Sequence, residues 1–146
     1  MNLSERLNED MKQAMKSKDK FKLSNIRMVR STIKNLEIDL KRSLDDSEVL
    51  DIIGREIKQR KDALQDFEKA GREDLAADAK AEIEFLSAYL PEQLSEEEIK
   101  VIVKQTIQET GASSKAEMGK VMSALMPKVK GRADGKLVNQ VVQQFL

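Results

Sequence analysis

The chain contains neither cysteine nor histidine. Those absences exclude disulfides, thiolate catalysis, histidine-based triads and the usual zinc sites. Proton transfer near neutral pH would fall to a carboxylate, a lysine or the single tyrosine, each with a strongly shifted pKa. Aromatic residues make up 3% of the sequence and tryptophan is missing, so a platform that stacks single-stranded bases on several exposed rings is not available. No stretch reaches the apolar length of a membrane span. The opening residues, MNLSERLNEDMKQ, lack the apolar run of a signal peptide. Together these absences lead to the expectation of a cytoplasmic protein without membrane association.

What is present is charge and helical periodicity. Of 146 residues, 40% are apolar and 36% charged, which suits helices with narrow apolar stripes and wide solvated faces. Ser4 is a plausible cap for a first helix ending near Lys16, with Leu7, Met11 and Met15 on one face. A second helix is predicted from Lys20 to Lys41, with Ile26, Val29, Ile33, Leu36 and Leu40 three and four apart. Asp45 with Glu48 reads as a capping box opening a third helix to Lys69, and Gly71 supplies its stop. A fourth helix follows over residues 72–86. Two packed helical hairpins are the expected arrangement for residues 1–90.

The segment YLPEQLSEEE is the best boundary, because Pro91 cannot continue a helix and biases Leu90 away from helical angles. Beyond it, Ser95 with Glu98 forms a second capping box, Gly111 ends that helix, and Ser113 or Ser114 caps the next, expected to stop at Leu125 before Pro127. Asp134 precedes a last apolar-faced helix carrying Leu137, Val138, Val141, Val142 and Phe145. The reading is an all-α chain, with an N-terminal helical domain at 1–90 and a small three-helix domain at 91–146.

Net charge is zero but unevenly placed. Residues 110–146 hold six cations (Lys115, Lys120, Lys128, Lys130, Arg132, Lys136) against two anions (Glu117, Asp134), a local net of +4. The basic stretch MPKVKGRADGK concentrates this charge around Gly131 and Gly135. Glycines let a backbone approach another molecule closely, and the amides that open the following helix favour an anion. Lys128, Lys130, Arg132 and Lys136 around such a turn are a sensible phosphate-backbone contact; a basic turn that merely aids solubility is the plain alternative. Lys120 could extend the patch. Arg27, Arg30 and Lys34 form a second basic ridge on helix two, either paired with Glu37 and neighbouring helices or sharing in polyanion binding.

Other motifs fail on their context. STIK at 31–34 matches S-x-x-K without its partner motifs. GRADGK and GASSKAEMGK end in Gly-Lys, but Leu137 and Val121 stand where a P-loop needs Ser or Thr. The carboxylate pairs Asp62/Asp66 and Glu92/Glu96 read as solvated faces, and Met118, Met122 and Met126 as core filler. The sequence offers no catalytic residue, and no metal or cofactor is expected.

YLPEQLSEEEI, followed by GASSKAEMGKVMSALMPKVKGRADGKLVNQVV, closely resembles the GatB/YqeY family, specifically its small free-standing YqeY-like members. The likeness extends through RLNEDMKQAMK, IRMVRSTIKNLEID and REIKQRKDALQDFEKAGR, so it covers essentially the whole chain. It implies that residues 95–146 are similar to the tail domain of the B subunit of glutamine-dependent tRNA amidotransferase, a helical module that contacts tRNA. The tail pattern falls on Gly119 to Met122, Lys130 to Asp134 and Leu137 to Asn139, while Gly135 stands where that tail often has Pro. The resemblance implies an accessory RNA-binding protein, tRNA-directed, whose partners include tRNA and an aminoacyl-tRNA synthetase or amidotransferase. Two alternatives are implied alongside it. One is participation in amide transfer, as a carbon–nitrogen ligase with glutamine as nitrogen donor, although the amidotransferase's catalytic domains have no counterpart here. The other is a protein-interaction module.

Overall fold

A computed structural model describes all 146 residues as seven α-helices and one 3-10 turn, with no strand. The helices are α1 (Leu3–Lys16), α2 (Lys20–Leu40), α3 (Asp46–Lys69), α4 (Glu73–Ser87), α5 (Glu96–Thr110), α6 (Met118–Val129) and α7 (Gly135–Phe145). The chain divides into two compact units, Met1–Leu90 and Pro91–Leu146.

In the first unit, α1 packs chiefly on α2 and α3 on α4. The three-residue connections 17–19 and 70–72 force antiparallel neighbours. Lys18 takes the left-handed conformation in the first connection and Gly71 in the second. The core contains Leu7, Ile26, Val29, Ile33, Val49, Ile53, Ile57, Leu86 and Tyr89. Arg60 is buried beneath this surface. Its Nε and Nη1 each lie 2.7 Å from a carboxylate oxygen, of Glu82 and Glu56 respectively, tying α3 to α4. The Tyr89 hydroxyl donates to Asp10 Oδ2 at 2.5 Å, with the Arg6 guanidinium 4.6 Å from the ring centre.

Local chemistry corrects several sequence expectations. Asn2, not Ser4, caps α1, because its side chain accepts from Glu5 N and the Glu5 carboxylate returns the bond. Met15 and Leu40, placed on apolar stripes, are 47% and 44% exposed. Both stand in the last turn of a helix, where the stripe has run past its partner. The Asp45–Glu48 and Ser95–Glu98 capping boxes are both formed.

The second unit packs α5, α6 and α7 around Ile99, Val103, Val121, Leu125, Val129, Val138, Val141 and Val142. A 3-10 turn over Lys115–Glu117 leads into α6, and no serine side chain caps it. α6 does not stop at Leu125: it carries Pro127 and runs on to Val129. Pro127 lacks an N–H, but the loss is limited to the final turn, which the burial of Val129 holds against the core. Met118 and Met122 pack on that core, whereas Met126 is 40% exposed.

Candidate nucleic-acid interface

The basic stretch spans the end of α6, a short turn and the start of α7. Lys130 terminates α6, and Gly131 follows with φ +72°, the left-handed conformation that closes a helix C-terminus. Arg132 N donates to Val129 O at 2.9 Å and tightens the turn. The turn then binds the segment leading into α5. Leu94 N donates to Arg132 O at 2.7 Å, Gln93 Nε2 to Gly131 O at 2.8 Å, and Arg132 Nε to Glu92 O at 3.5 Å. The turn therefore anchors the unit's own first residues.

The cations differ in their exposure. Lys128 Nζ sits 2.7 Å from Glu109 Oε2 and 3.1 Å from Thr106 Oγ1, bridging α6 to α5. Arg132 is half-buried beside the 92–94 segment, while Lys120, Lys130 and Lys136 are exposed. Lys120 lies in the first turn of α6, ten residues before Lys130, roughly 15 Å away at the helical rise. Lys130, Arg132 and Lys136 lie within one turn of chain.

The start of α7 is less open to an anion than the sequence suggested. Asp134 caps the helix, and its Oδ1 accepts from Lys136 N at 3.0 Å. A phosphate approaching those amides meets a carboxylate first, so contact falls to the side chains. Gly135 occupies the first helical position without a positive φ, and a Cβ added there meets nothing within 4 Å. Gly131 is required by the turn's geometry, and Gly135 is not.

Arg27, Arg30 and Lys34 belong to the first unit, where they line a cleft between α1 and α2. Glu37 does not pair with them; its Oε2 accepts from Leu44 N at 2.9 Å. The carboxylate pairs Asp62/Asp66 and Glu92/Glu96 are all exposed. Sequence reasoning missed Arg60 and the Asp10–Tyr89 contact, because neither partner's spacing marks a bond between helices.

A family profile described as Yqey-like protein matches residues 4–146. Among curated proteins, one from Pyrenophora tritici-repentis is 33% identical over 97% of this chain and 79% of its own length. One from Saccharomyces cerevisiae is 33% identical over 95% and 80%. One from Vanderwaltozyma polyspora is 44% identical over 58% of the chain, a match spanning 46% of that protein. All three bear the name "Altered inheritance of mitochondria protein 41, mitochondrial". These names correct the expectation of a cytoplasmic protein. That expectation rested on a missing apolar leader, and mitochondrial addresses are amphipathic rather than apolar, so the absence does not separate the compartments.

Proposed function

The chain belongs to the YqeY-like family, and on that premise we propose that it is an accessory RNA-binding protein, tRNA-directed, whose C-terminal unit contacts the phosphate backbone. The observation that carries this reading is the exposed cation set at the α6–α7 turn. Lys130 and Lys136 flank Arg132, and Asp134, the one acid in the turn, is engaged as a helix cap. Lys120 extends the surface along α6. Lys128 contributes through its bridge to Glu109 more than through direct contact.

Recognition by charge and shape fits the shortage of rings, since phosphate contacts position a protein without reading bases. The test is a titration of the full chain with tRNA and with duplex DNA of matched length over a salt series. Neutralising four phosphates gives a log–log salt slope of roughly −3, with tRNA bound more tightly than DNA. Absence of salt-dependent tRNA binding contradicts the reading. Glutamine-dependent amide transfer to a misacylated tRNA by this chain alone would establish the enzymatic alternative instead.

A protein-interaction role finds some support in the first unit. Phe21 and Met28, seven residues apart on α2, are 41% and 48% exposed. Pull-down of an aminoacyl-tRNA synthetase or amidotransferase that depends on these two side chains, without any tRNA binding, would favour that reading.

A further inference from the structure

The α1–α2 cleft brings cations, hydroxyls and apolar side chains together. Its space is about 550 Å³, within the range of small-molecule pockets. From α2 it is lined by Arg27, Arg30, Ser31 and Lys34, which recur three and four residues apart and so share one face. Leu7 and Met11 from α1, with Ile33, supply an apolar floor, and Ser4 adds a hydroxyl.

Like most cations of the chain, these three reach no carboxylate, but here they converge on one face of a cleft with an apolar floor. Arg42, Arg60, Arg72, Lys80, Lys100 and Lys128 each reach a carboxylate. Arg27 and Lys34 reach none, and the contact of Arg30 Nη1 is the Met11 sulfur at 2.8 Å. A thioether is a weak acceptor and leaves the guanidinium charge uncompensated. The one acid lining the cleft, Glu37, gives a carboxylate oxygen to Leu44 N. The hydroxyls of Ser4 and Ser31 make no hydrogen bond within the protein.

We propose that the α1–α2 cleft binds a small phosphate monoester bearing an apolar group, its head on Arg27, Arg30, Lys34 and Ser31 and its body against Leu7, Met11 and Ile33. Three cations match a dianionic head better than a single carboxylate, and guanidinium forks suit tetrahedral oxygens. The apolar floor distinguishes this site from a backbone-tracking groove, which needs charge but no hydrophobic contact. It lies in the other unit from the proposed RNA surface, so the two readings fail independently.

The probe is n-hexyl phosphate, titrated into the isotopically labelled full chain and followed by NMR at the α1 and α2 amides and the arginine Nε–H groups. Inorganic phosphate and hexanol serve as comparison titrants at matched ionic strength. Hexyl phosphate should give saturable shifts confined to the cleft and half-saturate at a concentration roughly tenfold lower than inorganic phosphate. Arg27→Gln and Lys34→Gln should each weaken binding about five- to tenfold, as loss of a charge-assisted contact does, while Lys136→Gln leaves it unchanged. The proposal is overturned if no saturable shift develops, or if hexanol binds as well as the ester. It is equally overturned if the cleft variants bind like wild type, or if tRNA and not the ester saturates the cleft.

Discussion

Lys128 Nζ lies 2.7 Å from Glu109 Oε2, so a cation expected at a phosphate also fastens α6 to α5. The lysine side chain is 37% exposed and the glutamate 62%, which limits the pair to about 0.5–1 kcal/mol. Lys128→Ala should lower the unfolding free energy measured in urea by that modest amount, and Glu109→Ala should match it. The double variant should be little worse than either alone. Its tRNA affinity should change by no more than about twofold, since no phosphate contact depends on it in this account.

The two glycines of the turn should respond in opposite directions. Gly131 at φ +72° should lose about 1–2 kcal/mol on replacement by alanine, the usual cost of placing a Cβ in that region. Gly135 opens α7 in open space, and Asp134 before it is already extended at ψ 124°, as a residue preceding proline must be. Gly135→Pro should therefore be neutral or stabilising by up to about 1 kcal/mol. Thermal unfolding of the two variants checks both signs.

Tyr89 is the only tyrosine, and tryptophan is absent, so its ionisation can be followed by absorbance without interference. Burial, then its hydrogen bond to Asp10, raises its pKa above the ordinary value. The folded protein keeps this proton where the unfolded chain has lost it. The contribution of this group to stability is therefore constant below about pH 10 and is lost as pH rises beyond it. Tyr89→Phe should remove that alkaline loss, whereas a phenolate appearing near pH 10 in the folded protein would contradict the packing described.

At the acid end, Glu48 has its pKa held at about 2, first by its hydrogen bonds to Arg42 and then by the Asp45 backbone. A depressed carboxylate contributes stability above its unfolded pKa and loses it as pH falls through the folded one. Glu48→Gln should flatten the stability profile between roughly pH 4.5 and 2, and carboxyl-carbon NMR reads the titration directly.

Arg60 is buried between two carboxylates. Arg60→Ala leaves Glu56 largely buried and unpaired, and should cost about 3 kcal/mol or more. Chemical denaturation measures it.

The architecture was largely legible because helix signals are local. The caps Asp45, Ser95 and Asp134 and the stops Gly71 and Gly111 all act where the sequence places them. The misses arise where tertiary contact decides. Val129 carries α6 past Pro127 because the core accepts it, and Met15 lies exposed beyond the reach of its stripe. At the candidate site, the cations were visible but their partners were not. Glu109 lies 19 residues from Lys128 and Glu92 lies 40 from Arg132, and no periodicity links such positions. The absence of partners around Arg27 and Lys34 was equally invisible, since it depends on where Glu37 turns.

The most direct measurement is tRNA affinity of wild type against a variant carrying Lys120→Gln, Lys130→Gln and Lys136→Gln, between about 50 and 200 mM salt. These changes spare Arg132 and Lys128, whose contacts hold the unit together. With helicity unchanged, affinity should be at least about tenfold weaker and the salt slope should fall from roughly −3 to about −1. Equal affinity and an unchanged slope would contradict the proposed RNA contact.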